Sequence, residues 1–151
     1  MERFDEFLKE VGTLLGVPLH PDKNRACKMS INNVLHIQIE EDATKEKLLI
    51  ACFLCDIPPG KFRENILREA LKSNDFYPRT GTLSYSERNN KLACFEFLSW
   101  HNLTAQKFLE FFAKFIEKAD NWRVAVESGQ TAPIKEKTQT QASSNIFGIK
   151  T

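Results

Sequence analysis

The segment Lys47–Ile57, KLLIACFLCDI, contains the longest unbroken apolar run in the chain. In a strand, successive side chains alternate between the two faces of a sheet. Leu48, Ile50, Cys52 and Leu54 then share one face, and Leu49, Ala51, Phe53 and Cys55 the other. Both faces are apolar. A strand with one wet face would alternate apolar with polar residues. This one is therefore expected in mid-sheet with something covering each face: the long Phe-rich helix on one, and on the other the first or second helix, a second subunit or a bound partner.

Upstream, Phe4, Phe7, Leu8, Val11 and Leu15 recur at helical spacing and predict a helix over Glu2–Leu15. Acidic Glu2, Asp5 and Glu6 suit its N-terminal dipole, and Gly16 followed by Pro18 stops it. Cys27, Met29 and Ile31 alternate with polar residues, as do Leu35, Ile37 and Ile39, which reads as a hairpin. Its turn falls at Asn32-Asn33, because asparagine tolerates the positive φ of a tight turn. Downstream, Pro58-Pro59-Gly60 breaks the central strand. Lys61–Asn74 reads as a second helix with Phe62, Ile66, Leu67, Ala70 and Leu71 on one face; its basic residues are interleaved with Glu64 and Glu69, as on a solvated surface. Thr82–Glu87 and Lys91–Trp100 read as a second hairpin. In the latter strand Ala93, Phe95 and Phe97 share one face, and Leu92, Cys94, Leu98 and Trp100 share the other with Glu96. A long helix over about Thr104–Glu127 follows, with Thr104 as N-cap and a stripe of Phe108, Phe111, Phe112, Phe115, Ala119, Trp122 and Val126. The order α-β-β-β-α-β-β-α predicts an α+β fold: a five-stranded antiparallel sheet with three helices, strand order 1-2-3-5-4, and the Thr82–Glu87 strand at an edge.

The 151 residues suit one domain. The periodic elements lie in residues 1–128. Residues 129–151 are rich in Thr, Gln, Ser and Lys, lack periodicity apart from the Ile146-Phe147-Gly148-Ile149 cluster, and are expected to form a flexible polar tail. A formal net charge of +1 gives no nucleic-acid footprint, and no apolar run is long enough for a membrane span. The start MERFDEFLKE is charged and amphipathic rather than a secretory signal. Cys27, Cys52, Cys55 and Cys94 are then expected as buried free thiols in a reducing cytoplasm.

Cys52 and Cys55 nevertheless form a Cys-x-x-Cys, a spacing used in redox and metal sites. Redox versions open a helix, where the first thiol meets the helix N-terminus. A zinc knuckle needs a second ligand pair, and Cys27 and Cys94 are isolated. On a regular strand the two thiols point to opposite faces. Core filling is the simpler reading, and a thiol oxidoreductase the alternative. His20, His36 and His101 fall in no triad or ligand spacing, Ser84 and Ser86 in no nucleophile elbow, and there is no phosphate-binding glycine loop. No catalytic residue, cofactor or metal site is expected.

What remains is a surplus of apolar surface. Twelve Phe stand against two Tyr and two Trp. Three amphipathic elements and a two-sided strand in a chain of this size suggest dimerisation, a peptide groove, or both.

The element order and four phrases, FDEFLKEVGTLLGVPL, CKMSINNVLHIQIEEDATKEKLLIACFLCDIPP, ALKSNDF and KFLEFFAKFIEKADNWRVAV, resemble the class I type III secretion chaperones. This Tir-chaperone-like family comprises small bacterial cytoplasmic proteins, and the resemblance runs from about Phe4 to Val126. It implies no enzymatic activity. It implies a chaperone that holds the N-terminal segment of a secreted effector extended and unfolded for export, and presents it to the secretion ATPase. Partners would be the effector and a second copy, or in some relatives a paralogous chaperone. The dimer contact would map to Phe62, Ile66, Leu67, Leu71, Leu83 and Tyr85. The client strand would add to a sheet edge and place side chains in grooves between the first helix and the first hairpin, at Phe4, Phe7, Leu8, Met29, Ile31, Leu35 and Ile37. Such strand addition draws affinity from backbone hydrogen bonds without demanding a sequence. A regulatory adaptor of the same fold, binding a folded partner, is the other binding reading.

Overall fold

The computed structural model describes residues 2–134. Its elements are α1 (Arg3–Leu15), β1 (Ala26–Ile31), β2 (Leu35–Glu41), β3 (Lys47–Asp56), α2 (Lys61–Ser73), β4 (Thr82–Ser86), β5 (Lys91–Ser99) and α3 (Ala105–Glu127). The strands form one antiparallel sheet in the order β1-β2-β3-β5-β4, as the sequence predicts.

Local chemistry accounts for the boundaries. Gly16 ends α1 in the left-handed region, with φ 80°. Asn32 and Asn33 take φ of 53° and 59°, and the Val34 N–H donates to the Ile31 carbonyl at 3.1 Å, closing the turn between β1 and β2. The Thr104 hydroxyl accepts the Lys107 N–H at 3.1 Å and caps α3.

The core lies on one side of the sheet. Phe4, Phe7, Leu8 and Val11 of α1 and Phe108, Phe112, Phe115, Ala119 and Trp122 of α3 are buried there with Leu35, Ile37, Ile39, Leu48, Ile50, Cys52, Leu92 and Cys94 of the strands. Phe7 stands edge-on to both Trp100 and Phe108, at 5.0 and 5.3 Å between ring centroids, a favoured aromatic geometry. Arg3 ties α1 to the sheet: its guanidinium lies 4.6 Å over the Trp100 ring and donates to the Lys45 carbonyl at 2.7 Å. Gly81 is required by close packing, since a Cβ there would lie 2.6 Å from Cys94 Sγ and 3.3 Å from Phe115 Cδ2.

β3 is central, as expected, and the described helices cover one of its faces. Leu48, Ile50 and Cys52 lie under the helices, whereas Leu49 and Ala51 are partly exposed and Phe53 is open. Two expectations need correction. First, Cys52 and Cys55 do not point to opposite faces. A bulge between Phe53 and Cys55 shifts the register, so Cys52 pairs with Cys94 and Cys55 with Leu92, two residues of the same buried face. Second, α2 buries only Ile66, Ala70 and Ser73; Phe62 and Leu71, placed on its apolar face, are exposed. Beyond α3, Ala132 packs on the core and Pro133 is buried. The Ile146–Ile149 cluster lies outside the described residues.

Candidate functional site

Among the described residues, two features of the sheet are open to a partner: the face that no helix covers, and the outer edge of β1. On the open face Leu49, Ala51 and Phe53 of β3 lie opposite Phe97, Phe95 and Ala93 of β5. They floor a groove of about 820 Å³, bordered by Lys28, Ser30, His36 and Gln38 on one side and by Ser84 and Ser86 on the other. Phe53 is 53% exposed and Phe97 43%. The Phe95 and Phe97 rings meet edge-on at 6.0 Å, and the Lys47 ammonium sits 5.9 Å from the Phe97 ring centre.

The two edge strands differ. At the start of β1, Asp22 mimics a neighbouring strand: its N–H donates to the Ala26 carbonyl at 2.9 Å, and its carboxylate accepts the Ala26 N–H at 3.0 Å. That hydrogen bond holds the Asp22 carboxyl below its ordinary range. Because Ala26 faces away from β2, ladder alternation turns the N–H and C=O of Lys28 and Ser30 outward too. These four groups meet no partner among the described residues. At β4, Asn74 does what Asp22 does at β1. Its amide donates to the Leu83 carbonyl at 2.9 Å and accepts the Leu83 N–H at 2.8 Å. The same alternation leaves only Tyr85 facing outward on this five-residue strand. There α2 packs alongside, with Arg63 donating to the Tyr85 hydroxyl at 2.7 Å. The β1 edge is thus the longer free template.

The residues that the resemblance assigns to client binding divide in two. Phe4, Phe7, Leu8, Leu35 and Ile37 are buried, so the expected groove between α1 and the first hairpin is filled by their own packing. Met29 and Ile31 are half-buried along β1, next to the free edge. The residues assigned to the dimer contact divide likewise. Ile66 and Leu83 are interior, Leu67 and Tyr85 half-buried, and Phe62 and Leu71 exposed. In the loop after α2, Phe76 and Tyr77 are exposed as well.

The open face was not assigned as a site from sequence, although the doubled apolar face of β3 and the Ala93-Phe95-Phe97 alternation were its signals. The free edge has no sequence signal, because every residue carries a backbone N–H and C=O; only the topology says whose are unpaired.

The thiols lack the features of reactive sites. All four are free and buried, and desolvation pushes Cys52 and Cys55 up to about 11 and Cys94 up to about 12. Among the described residues no group of His, Cys, Asp or Glu is placed to hold a metal ion, and no helix is long and apolar enough to cross a membrane.

This architecture occurs in solved structures. The chain superimposes on one in the complex of the Yersinia pestis type III secretion chaperone SycH with a fragment of YscM2, with TM-score 0.63 and 13% identity, covering 77% of this chain and 96% of that one. It superimposes on one in the HopA1–SchA chaperone–effector complex with TM-score 0.62 and 21% identity, covering 81% and 94%. For the Pseudomonas aeruginosa ExoT–SpcS complex the values are 0.59 and 13%, covering 79% and 97%. No curated protein matches the sequence. The sequence model of the Tir chaperone protein (CesT) family matches residues 6–123, most of the chain, from within α1 to within α3. The chain therefore belongs to the Tir chaperone protein (CesT) family.

Proposed function

We propose that this protein is a type III secretion chaperone that binds an extended segment of a secreted effector along the free edge of β1. The observation that carries the reading is the row of outward backbone groups at Lys28 and Ser30, flanked by half-buried Met29 and Ile31. A client strand gains ladder hydrogen bonds from the former and side-chain contacts from the latter. Bound this way it stays extended, with its own apolar residues shielded from aggregation. Family membership and the chaperone–effector complexes among the structural relatives support the same conclusion.

Binding of this kind needs no catalytic group, and the protein acts by capture alone. It works in the bacterial cytoplasm, as a homodimer joined through α2, and hands the client to the secretion ATPase. Phe62, Leu67 and Leu71 are the α2 residues with surface to give to that contact. Capture on the tagged protein from the native cytosol, followed by limited proteolysis, tests the reading. An extended protected client segment is expected. A captured partner that stays folded under protease, with no protected segment, would contradict it and identify an adaptor instead.

A further inference from the structure

The free edge of β1 is short and bounded at both ends. The Asn32-Asn33 turn ends it on one side. On the other, the carboxylate and N–H of Asp22 take both ladder groups of Ala26, at 3.0 and 2.9 Å. We propose that Asp22 is a strand stop that confines an added client strand to Lys28–Ile31, and that this short window selects an acidic client residue beside Lys28 and an apolar one beside Met29. The inference rests on the client reading above and names the client chemistry that the edge takes.

Asp22 stands where an added strand would run past Ala26, and its surroundings hold it there. Pro21 before it has no N–H with which to carry a ladder further. The Arg25 N–H donates to the Asp22 carbonyl at 2.9 Å, which closes the loop on itself. The Arg25 guanidinium is in turn held to α1 by Asp5 at 3.1 Å and Glu2 at 3.3 Å. A client strand must therefore leave the sheet before Ala26. Lys28 and Ser30 are the positions left to exchange hydrogen bonds with it. A window that short gives few backbone bonds, so side-chain contacts decide which client segment is held.

Cross-strand neighbours project to the same face of a sheet. Met29 and Ile31 lie on the helix side, opposite Ile37 and Leu35, and pack against the core. Client residues beside them are half-sheltered and favour apolar side chains. Lys28 projects to the other face, where it is exposed at the border of the groove. It has no carboxylate within ion-pair distance among the described residues. The Asp22 carboxylate, on which its charge acts, already accepts from the Ala26 and Asn24 amides. Its neighbour across the ladder, Gln38, is neutral and donates to Glu40 at 2.7 Å. A client acid supplies the opposite charge that Lys28 lacks, and a client lysine at that place would be repelled.

Nuclear magnetic resonance titration of the full chain, with amide exchange, is the test. The probes are a synthetic peptide with the core valine–serine–valine–glutamate between glycine–serine flanks, set for antiparallel pairing, and a twin with lysine for glutamate. The glutamate peptide should bind about 5-fold tighter at low salt, a margin that narrows at high salt. Lys28→Glu should reverse the order. In the wild type the peptide should slow exchange of the Lys28 and Ser30 amides and leave that of Ala26, already bonded, unaltered. In Asp22→Ala it should slow Ala26 as well, whereas Asp22→Asn, which keeps the acceptor oxygen, should behave as wild type. Asp22 and Lys28 are both exposed, so the variants should keep the fold. Twins that bind equally while protecting Lys28 and Ser30 would overturn the selection and leave the client reading standing. An Ala26 amide that the peptide fails to protect in Asp22→Ala would overturn the stop. Peptides that protect neither Lys28 nor Ser30 would refute strand addition itself, and the inference with it.

Discussion

Ile50 and Phe53 lie three residues apart on β3, yet one is fully buried and the other is 53% exposed. The same contrast runs across the whole sheet. On one face α1 and α3 seal Leu48, Ile50, Cys52, Leu92 and Cys94 beneath aromatic rings. On the other, Leu49, Phe53, Phe95 and Phe97 lie in a groove that no described element fills. Residue type does not separate the faces; the placement of the helices does. One face holds the monomer together, and the other leaves apolar side chains exposed.

Substitution separates the two roles. The largest effect belongs to the sealed face. Phe115→Ala should cost about 3–5 kcal/mol in urea unfolding, because the ring is fully buried and its cavity cannot collapse. Gly81→Ala should cost about 1–3 kcal/mol through overpacking against Cys94 and Phe115. Part of that loss should return in the Gly81→Ala, Cys94→Ala double variant, whose smaller side chain at 94 relieves the tighter contact.

At the β1 edge, Ser30→Pro removes an outward N–H that supports nothing inside the chain. It should leave stability within about 1 kcal/mol, since edge strands tolerate proline at such positions. It should nevertheless weaken client capture about 10-fold, the worth of one to two hydrogen bonds. On the open face, Phe53→Ser should change unfolding stability by less than about 1 kcal/mol at concentrations where the chain is monomeric. A large loss there would erase the distinction between the two faces.

The sealed face should also show a pH dependence. The thiols of Cys52 and Cys55 sit near 11 and that of Cys94 near 12, against an ordinary 9.0, because burial penalises the thiolate. The folded chain thus holds these protons more tightly than the unfolded one. Their contribution to stability is complete below pH 9.0 and is lost as pH rises toward 11–12. Unfolding followed from pH 8 to 11 should show this decline, with a shallower slope in Cys94→Ala. At pH 8 native-state alkylation of these thiols should be slow, and fast labelling would contradict their burial.

Much of the fold was legible because periodicity is a local property. The helical spacing of Phe4, Phe7, Leu8 and Val11, the alternation in both hairpins and the Asn32-Asn33 turn all survive in the structure. The bulge at Phe53–Cys55 was not legible, because no glycine or polar break marks it, and it reverses where Cys55 points. The site was less legible than the fold. Periodicity marks apolar residues without saying which of them the chain itself consumes. Phe4, Leu8, Leu35 and Ile37, which the resemblance assigns to the client, are interior, whereas Phe95 and Phe97, placed on one strand face without a role, are partly exposed. Pairing of Phe53, Ala51 and Leu49 with β5 made the groove, and that pairing is a property of topology.

Amide hydrogen exchange, compared between the client-bound and free protein, tests the central claim most directly. Strand addition at β1 predicts new protection at the N–H groups of Lys28 and Ser30, with that of Tyr85 on β4 unaltered by the client. Unprotected Lys28 and Ser30 amides in a complex that retains its client would contradict it.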